Sequence, residues 1–116
     1  MQFKVGEINI ICSDIERSMA FYRNLLGFDI VSEEDGAWHI KCGEVPFLLL
    51  PMAKIMPERK PYCQEPAVSF DLLVEDAKAA FNFFREHKVE FEMELEPNGR
   101  YFFIRDPNGL VIEIVG

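Results

Sequence analysis

Residues 14–28, Asp14-Ile15-Glu16-Arg17-Ser18-Met19-Ala20-Phe21-Tyr22-Arg23-Asn24-Leu25-Leu26-Gly27-Phe28, decide the fold because part of the pattern returns. A shift of 62 residues carries Asp14 onto Asp76, Ala20 onto Asn82, Phe21 onto Phe83, Tyr22 onto Phe84 and Arg23 onto Arg85, and lays Glu7 on Ser69. Ser13-Asp14-Ile15-Glu16 has the form of a capping box, in which the Ser13 and Glu16 side chains each satisfy an amide left open at a helix start. Ile15, Met19, Tyr22 and Leu26 then recur at helical spacing. Gly27 supplies a left-handed closing residue, so a helix is predicted over about 14–26. The second copy predicts a helix over about 76–87 that buries Ala77, Ala80, Phe81 and Phe84.

Strands surround both helices. Residues 5–12 alternate, with Ile8, Ile10 and Cys12 on one face and Glu7, Asn9 and Ile11 on the other. After Gly27, strands are predicted over about 28–32, 38–42 and 47–50, with turns at Glu34-Asp35-Gly36 and Gly43-Glu44. The second half repeats the order: a strand at about 68–74, the helix, then strands at about 91–95, 100–105 and 110–115. Glu96-Pro97-Asn98-Gly99 and Asp106-Pro107-Asn108-Gly109 place Pro where φ near −65° is wanted and Asn-Gly where positive φ is tolerated. Pro51, Pro57, Pro61 and Pro66 make the intervening segment a linker. The fold class is therefore α+β: two βαβββ modules in a single domain of residues 1–116. Module 1 spans about 3–51, the linker about 52–66 and module 2 about 67–116.

Composition narrows the function. The 116 residues are 49% hydrophobic and 28% charged, the balance of a globular domain with a real core. A net charge of −8 has the wrong sign for neutralising phosphates, so no nucleic-acid partner is expected. The longest apolar run, Val45 to Met52, is broken by two prolines and is too short to span a membrane. The first residues lack the pattern of a secretory signal, and a cytoplasmic location is expected. Cys12, Cys42 and Cys63, three thiols without CxxC spacing, are expected to stay reduced. Acyl transfer, nucleotide hydrolysis and zinc proteolysis find no motif, since GxSxG, a phosphate-cradling glycine loop and HExxH are all missing.

The paired modules, with Phe21-Tyr22-Arg23-Asn24-Leu25-Leu26-Gly27-Phe28 after the first strand and Arg105-Asp106-Pro107-Asn108-Gly109-Leu110-Val111-Ile112-Glu113-Ile114 at the end, resemble the vicinal oxygen chelate superfamily. That superfamily includes glyoxalase I, the fosfomycin resistance proteins, extradiol dioxygenases, methylmalonyl-CoA epimerase and the metal-free bleomycin resistance proteins. The resemblance covers nearly the whole chain. It implies modules that curl into an open half-barrel of the glyoxalase/bleomycin resistance/dioxygenase type, helices outside and ligand in the trough, and a homodimer. On such a fold the alternation turns Glu7, Asn9, Ser69, Asp71 and Glu113 inward. Either Trp38 or His39 faces the trough, since strand neighbours point opposite ways. Trp38, Phe47, Tyr101 and Phe103 lie in trough strands and can stack on a planar ring, although core packing is the commoner use of such residues.

Catalytic members of the superfamily hold a divalent metal with side chains from the first, fourth, fifth and eighth strands, usually His or Glu. The corresponding slots here are Glu7, Leu49, Ser69 and Glu113: two carboxylates, a hydroxyl and an alkyl chain. No cofactor is therefore expected, and the leading expectation is a small-molecule-binding protein of the glyoxalase/bleomycin resistance type. Its ligand would meet Glu7, Asn9, Trp38, His39, Phe47, Leu49, Ser69, Asp71, Tyr101, Phe103 and Glu113. The alternative is a metal-dependent glyoxalase-like lyase, epimerase or dioxygenase in which Glu7 and Glu113 hold the metal, with His39 or Asp71 as a further ligand. A second alternative is a protein-partner module with a vestigial trough. In plainer roles, His87 is a cation at a helix end, and one of the two key glutamates is paired with a base such as Arg105.

Overall fold

Asp14 and Asp76 share one backbone conformation, φ −136°, ψ 103° and φ −137°, ψ 104°, in the computed structural model, which describes residues 1–116. Each caps a helix. Asp14 Oδ1 accepts from the amides of Glu16 at 3.1 Å and Arg17 at 3.2 Å, and Asp76 Oδ1 accepts from Ala79 at 3.1 Å. The capping box expected at Ser13 is thus displaced by one residue, because a carboxylate at the positive helix end makes a charge-assisted bond that a hydroxyl cannot match. Ser13 Oγ instead donates to Met56 Sδ at 3.6 Å. Asp76→Ala is expected to cost about 1 kcal/mol of stability and Asp76→Asn much less, measured by urea unfolding.

The first helix, α1 (Ile15–Met19), continues as π-helical turns over Ala20–Leu25, where one α-helix was predicted. The amide of Leu26 donates five residues back to the Phe21 carbonyl at 2.9 Å. A regular helix sets consecutive side chains about 100° apart. The widened turn lets the neighbouring Phe21 and Tyr22 both enter the core, their rings edge to face at 5.0 Å. The second helix, α2 (Ala77–Glu86), buries Ala77, Phe81 and Phe84 as expected, whereas Ala80, also expected in the core, is only half-buried at the margin of that face.

The chain divides into two compact units, Met1–Met56 and Pro57–Gly116, so much of the linker belongs to the second. The N-terminal unit has β1 (Ile8–Ile11), β2 (Asp29–Glu34), β3 (Ala37–Cys42) and β4 (Val45–Leu50) in the order β1-β4-β3-β2. The C-terminal unit repeats this with β5 (Phe70–Leu73), β6 (Glu90–Met93), β7 (Tyr101–Arg105) and β8 (Val111–Val115) in the order β5-β8-β7-β6. In each, the first strand runs parallel to the last and the remaining pairs are antiparallel. Two βαβββ modules are therefore present.

Directly paired residues lie on one side of a sheet. In the N-terminal unit the buried side holds Ile10, Ile40, Phe47 and Leu49, with the Phe28 ring 5.2 Å from Phe47. Phe47 and Leu49, expected on the ligand face, are core residues, 2% and 0% exposed. The run Phe47-Leu48-Leu49-Leu50 contains no polar residue to fix its phase, and a slip of one residue swaps the faces. Trp38 pairs with Leu49 and so also takes the core side, while His39 pairs with Leu48, the partner of Asn9, on the open side. In the C-terminal unit Phe102, Ile104, Ile112 and Ile114 are fully buried beneath Phe81 and Phe84.

Candidate functional site

The open face of the C-terminal sheet gathers polar and aromatic side chains by register. Asp71 pairs with Glu113 and Glu113 with Phe103, while Tyr101 lies one pleat further along beside Val115. Asp71 and Ser69 are exposed and Glu113 is half-buried. Sequence alternation therefore gives the right face for Asp71 and Glu113, with Ser69 beside them, and Tyr101 and Phe103, expected in this sheet without a stated phase, share it.

Tyr62 completes the group. Its hydroxyl lies 2.5 Å from both Glu113 Oε2 and Ser69 Oγ. A phenol has one proton to give, so it donates to the carboxylate and accepts from the serine hydroxyl. Burial, and then the hydrogen bond and charge of Glu113, push the Tyr62 hydroxyl above its ordinary range, which keeps it a donor at neutral pH. The ring meets Phe103 edge-on at 5.2 Å, and Phe103 stacks with Tyr101 at 5.8 Å.

The segment carrying Tyr62 is pinned to the sheet by charge. Arg105, 7% exposed, donates to Glu92 Oε1 from Nη2 at 2.6 Å and Nε at 3.1 Å, to the Gly109 carbonyl at 2.6 Å and to the Lys60 carbonyl at 2.7 Å. The Tyr62 amide donates to Glu92 at 2.9 Å, and that bond, followed by Arg105, holds the Glu92 carboxyl below its usual range. Arg59 makes a two-pronged pair with Glu90 at 3.0 and 3.1 Å. Arg105 thus serves Glu92, where a partner for Glu7 or Glu113 was expected. Between this segment and the sheet lies a cleft of about 200 Å³, its lining including Lys60, Tyr62, Cys63, Ser69, Arg105 and Val111. Tyr62 escaped sequence reading because it sits in a proline-rich stretch without periodicity; its one signal is being the only aromatic residue there.

In the N-terminal unit His39 Nδ1 lies 2.5 Å from Glu7 Oε2, and Nε2 lies 3.7 Å from the exposed Glu34 carboxylate. The Glu7 hydrogen bond, with the nearby carboxylate charges, raises His39 above its ordinary 6.5. A raised folded-state value means that the pair's contribution is fully present below about pH 6.5 and is lost as pH rises through the raised value. The melting temperature of His39→Gln should therefore trail that of the parent by more at pH 5.5 than at pH 9; a gap independent of pH would count against this pair. His87 Nδ1 lies 2.8 Å from the Phe83 carbonyl in the last turn of α2.

The register also corrects the fourth-strand slot. Asn9 pairs with Leu48 as Asp71 pairs with Glu113, so Leu48, not Leu49, is the counterpart of Glu113. The slots in the N-terminal unit thus become Glu7 and Leu48, and those in the C-terminal unit are Ser69 and Glu113. Hard divalent ions want several oxygen or imidazole donors. No cluster of three or more His, Cys, Asp or Glu side chains is arranged to hold one, Glu7 is engaged by an imidazole, and Glu113 by a phenol. Neither unit's own donor pair, Glu7 with Leu48 or Ser69 with Glu113, fits a resident divalent cation.

The sequence profile of the Glyoxalase/Bleomycin resistance protein/Dioxygenase superfamily matches residues 4–114. A comparison with curated proteins found no match. Among solved structures, the lactoylglutathione lyase of Agrobacterium tumefaciens is 24% identical with a TM-score of 0.69, the match covering 97% of this chain and 92% of that one. The trypanothione-dependent glyoxalase I of Leishmania major is 20% identical with a TM-score of 0.75 over 99% and 87% of the chains. A glyoxalase family protein from Enterococcus faecalis is 21% identical with a TM-score of 0.73 over 97% of each.

Proposed function

The chain belongs to the Glyoxalase/Bleomycin resistance protein/Dioxygenase superfamily, and from that premise we propose that it is a small-molecule-binding protein of the glyoxalase/bleomycin resistance type, working without a resident metal. The observation that supports this reading most is the convergence of Ser69, Asp71 and Glu113 with Phe103 and Tyr101 on the open face of one sheet. A purely structural sheet gains little from a half-buried carboxylate beside aromatic rings, whereas a binding face uses the first for orientation and the second for contact area. Glu113 and Asp71 accept from a ligand hydroxyl or ammonium group while the rings of Phe103 and Tyr101 cover a planar body. The same reading has the protein acting as a cytoplasmic homodimer, with exposed strand edges covered by a second copy.

The test is calorimetric titration with benzylamine, which joins an ammonium group to an aromatic ring, together with the metal content of untagged protein by plasma mass spectrometry. One-to-one binding that weakens about tenfold or more in Asp71→Asn/Glu113→Gln, with metal well below one equivalent, is the expected result. Stoichiometric metal with turnover of a hemithioacetal or catechol would replace this reading by the metal-dependent enzyme.

A further inference from the structure

The segment from Arg59 to Ser69 does more than connect two modules. It carries a side chain into the polar face and fastens it there: Tyr62 sits between Ser69 and Glu113 with its ring against Phe103. Immediately after it, Cys63 takes φ 71°, a left-handed conformation that a non-glycine residue adopts at an energetic penalty. The exposed carboxylate Asp71 stands beside Glu113 on the same face. A tyrosine held so specifically to the half-buried carboxylate of Glu113 displays the chemistry the face recognises. The pieces are a planar ring on Phe103, one hydroxyl proton given to Glu113, and one hydroxyl proton accepted from Ser69.

Resting on the ligand-binding reading above, we infer that Tyr62 is a displaceable plug, and that the ligand is an aromatic hydroxyl compound that takes the phenol's seat when the ring swings out. Every interaction Tyr62 makes through its side chain can be made by a free phenol. The bonds that fasten the segment, Arg59 to Glu90 and the Tyr62 amide to Glu92, lie away from Glu113 and stay available when the ring swings out. An ammonium can donate to Glu113 and to Ser69 Oγ but accepts from neither, whereas a hydroxyl gives its proton to Glu113 and accepts the Ser69 proton, as the Tyr62 phenol does. The hydroxyl is therefore the group the seat distinguishes.

The probe is 4-fluorophenol, with fluorobenzene as its control, titrated against the intact chain and Tyr62→Ala by fluorine nuclear magnetic resonance. Tyr62→Ala should bind 4-fluorophenol about tenfold or more tightly than the intact chain does, and should prefer it about tenfold over fluorobenzene. Adding Glu113→Leu should abolish that preference. Equal affinity of the intact chain and Tyr62→Ala for 4-fluorophenol overturns the plug, and equal binding of the two probes overturns the hydroxyl seat. Either failure is separable from failure of the binding reading itself, because benzylamine titration of Tyr62→Ala, in which Glu113 is free of the phenol, reports on that alone. Circular dichroism checks the fold of each variant. Should Tyr62→Ala not fold, Tyr62→Phe keeps the ring, frees Ser69 and Glu113, and should still bind 4-fluorophenol about threefold better than the intact chain; no gain overturns the inference.

Discussion

Replacing Arg105 with alanine is expected to lower the free energy of unfolding by about 3–5 kcal/mol, because removing one member of a buried ionic cluster strands the others. Arg105 is 7% exposed and its donors satisfy Glu92 and the carbonyls of Lys60 and Gly109 at 2.6–3.1 Å. Without the guanidinium those acceptors lose their partner, and Glu92 keeps only the Tyr62 amide. Arg105→Lys should recover a minority of the loss, since an ammonium is a point donor and cannot span a carboxylate and two carbonyls as the planar fork does. The measurement is urea unfolding followed by ellipticity. A loss under about 1 kcal/mol, the range of surface ion pairs, would mean that the cluster is solvated. Limited proteolysis should also cut between Lys60 and Tyr62 faster in the variant, because the Lys60 carbonyl is one of the stranded acceptors.

Phe102→Ala should be of similar severity, about 3–5 kcal/mol, for an unrelated reason. Phe102 is 0% exposed and its ring lies 5.5 Å from Phe81 and 5.9 Å from both Phe84 and Phe91. Truncation removes the apolar area of one ring and leaves a cavity that α2 and β6, each held at its own ends, can only partly close. Phe102→Leu should cost much less, as most of the volume is kept. The neighbouring Phe103 is half-buried on the opposite side of the same strand, so Phe103→Ala is expected to cost well under half as much while weakening ligand binding. Equal losses at positions 102 and 103 would contradict the assignment of faces. Domains of this size hold a total stability of about 5–15 kcal/mol, so the buried variant should unfold partially at moderate temperature.

Most of the framework was legible in the sequence because it rests on local and periodic signals. The 62-residue shift carries β1 onto β5 residue for residue, and Asp14 and Asp76 cap the two helices in the same conformation. In the C-terminal unit, strands that alternate polar and apolar residues, Ser69-Phe70-Asp71 and Ile112-Glu113-Ile114, announced their own phase. The N-terminal unit did not: in Phe47-Leu48-Leu49-Leu50 every residue is apolar, so either phase satisfies the pattern. Only pairing with Asn9 and His39 shows Leu48 on the open face and Leu49 in the core.

Two βαβββ modules, the places where their helices begin, and the polar faces that carry Glu7, Asn9, Ser69, Asp71 and Glu113 are all written in the order of residues along the chain. What those faces meet depends on the folded chain. His39 is engaged by Glu7 across 32 positions of chain, Tyr62 by Glu113 across 51, and Arg105 by the Lys60 carbonyl across 45. Periodicity reports which side of an element a residue occupies, since that depends on the next few dihedral angles. Which side chains then meet depends on strand order, on register and on the path of an aperiodic segment, none of which leaves a local trace.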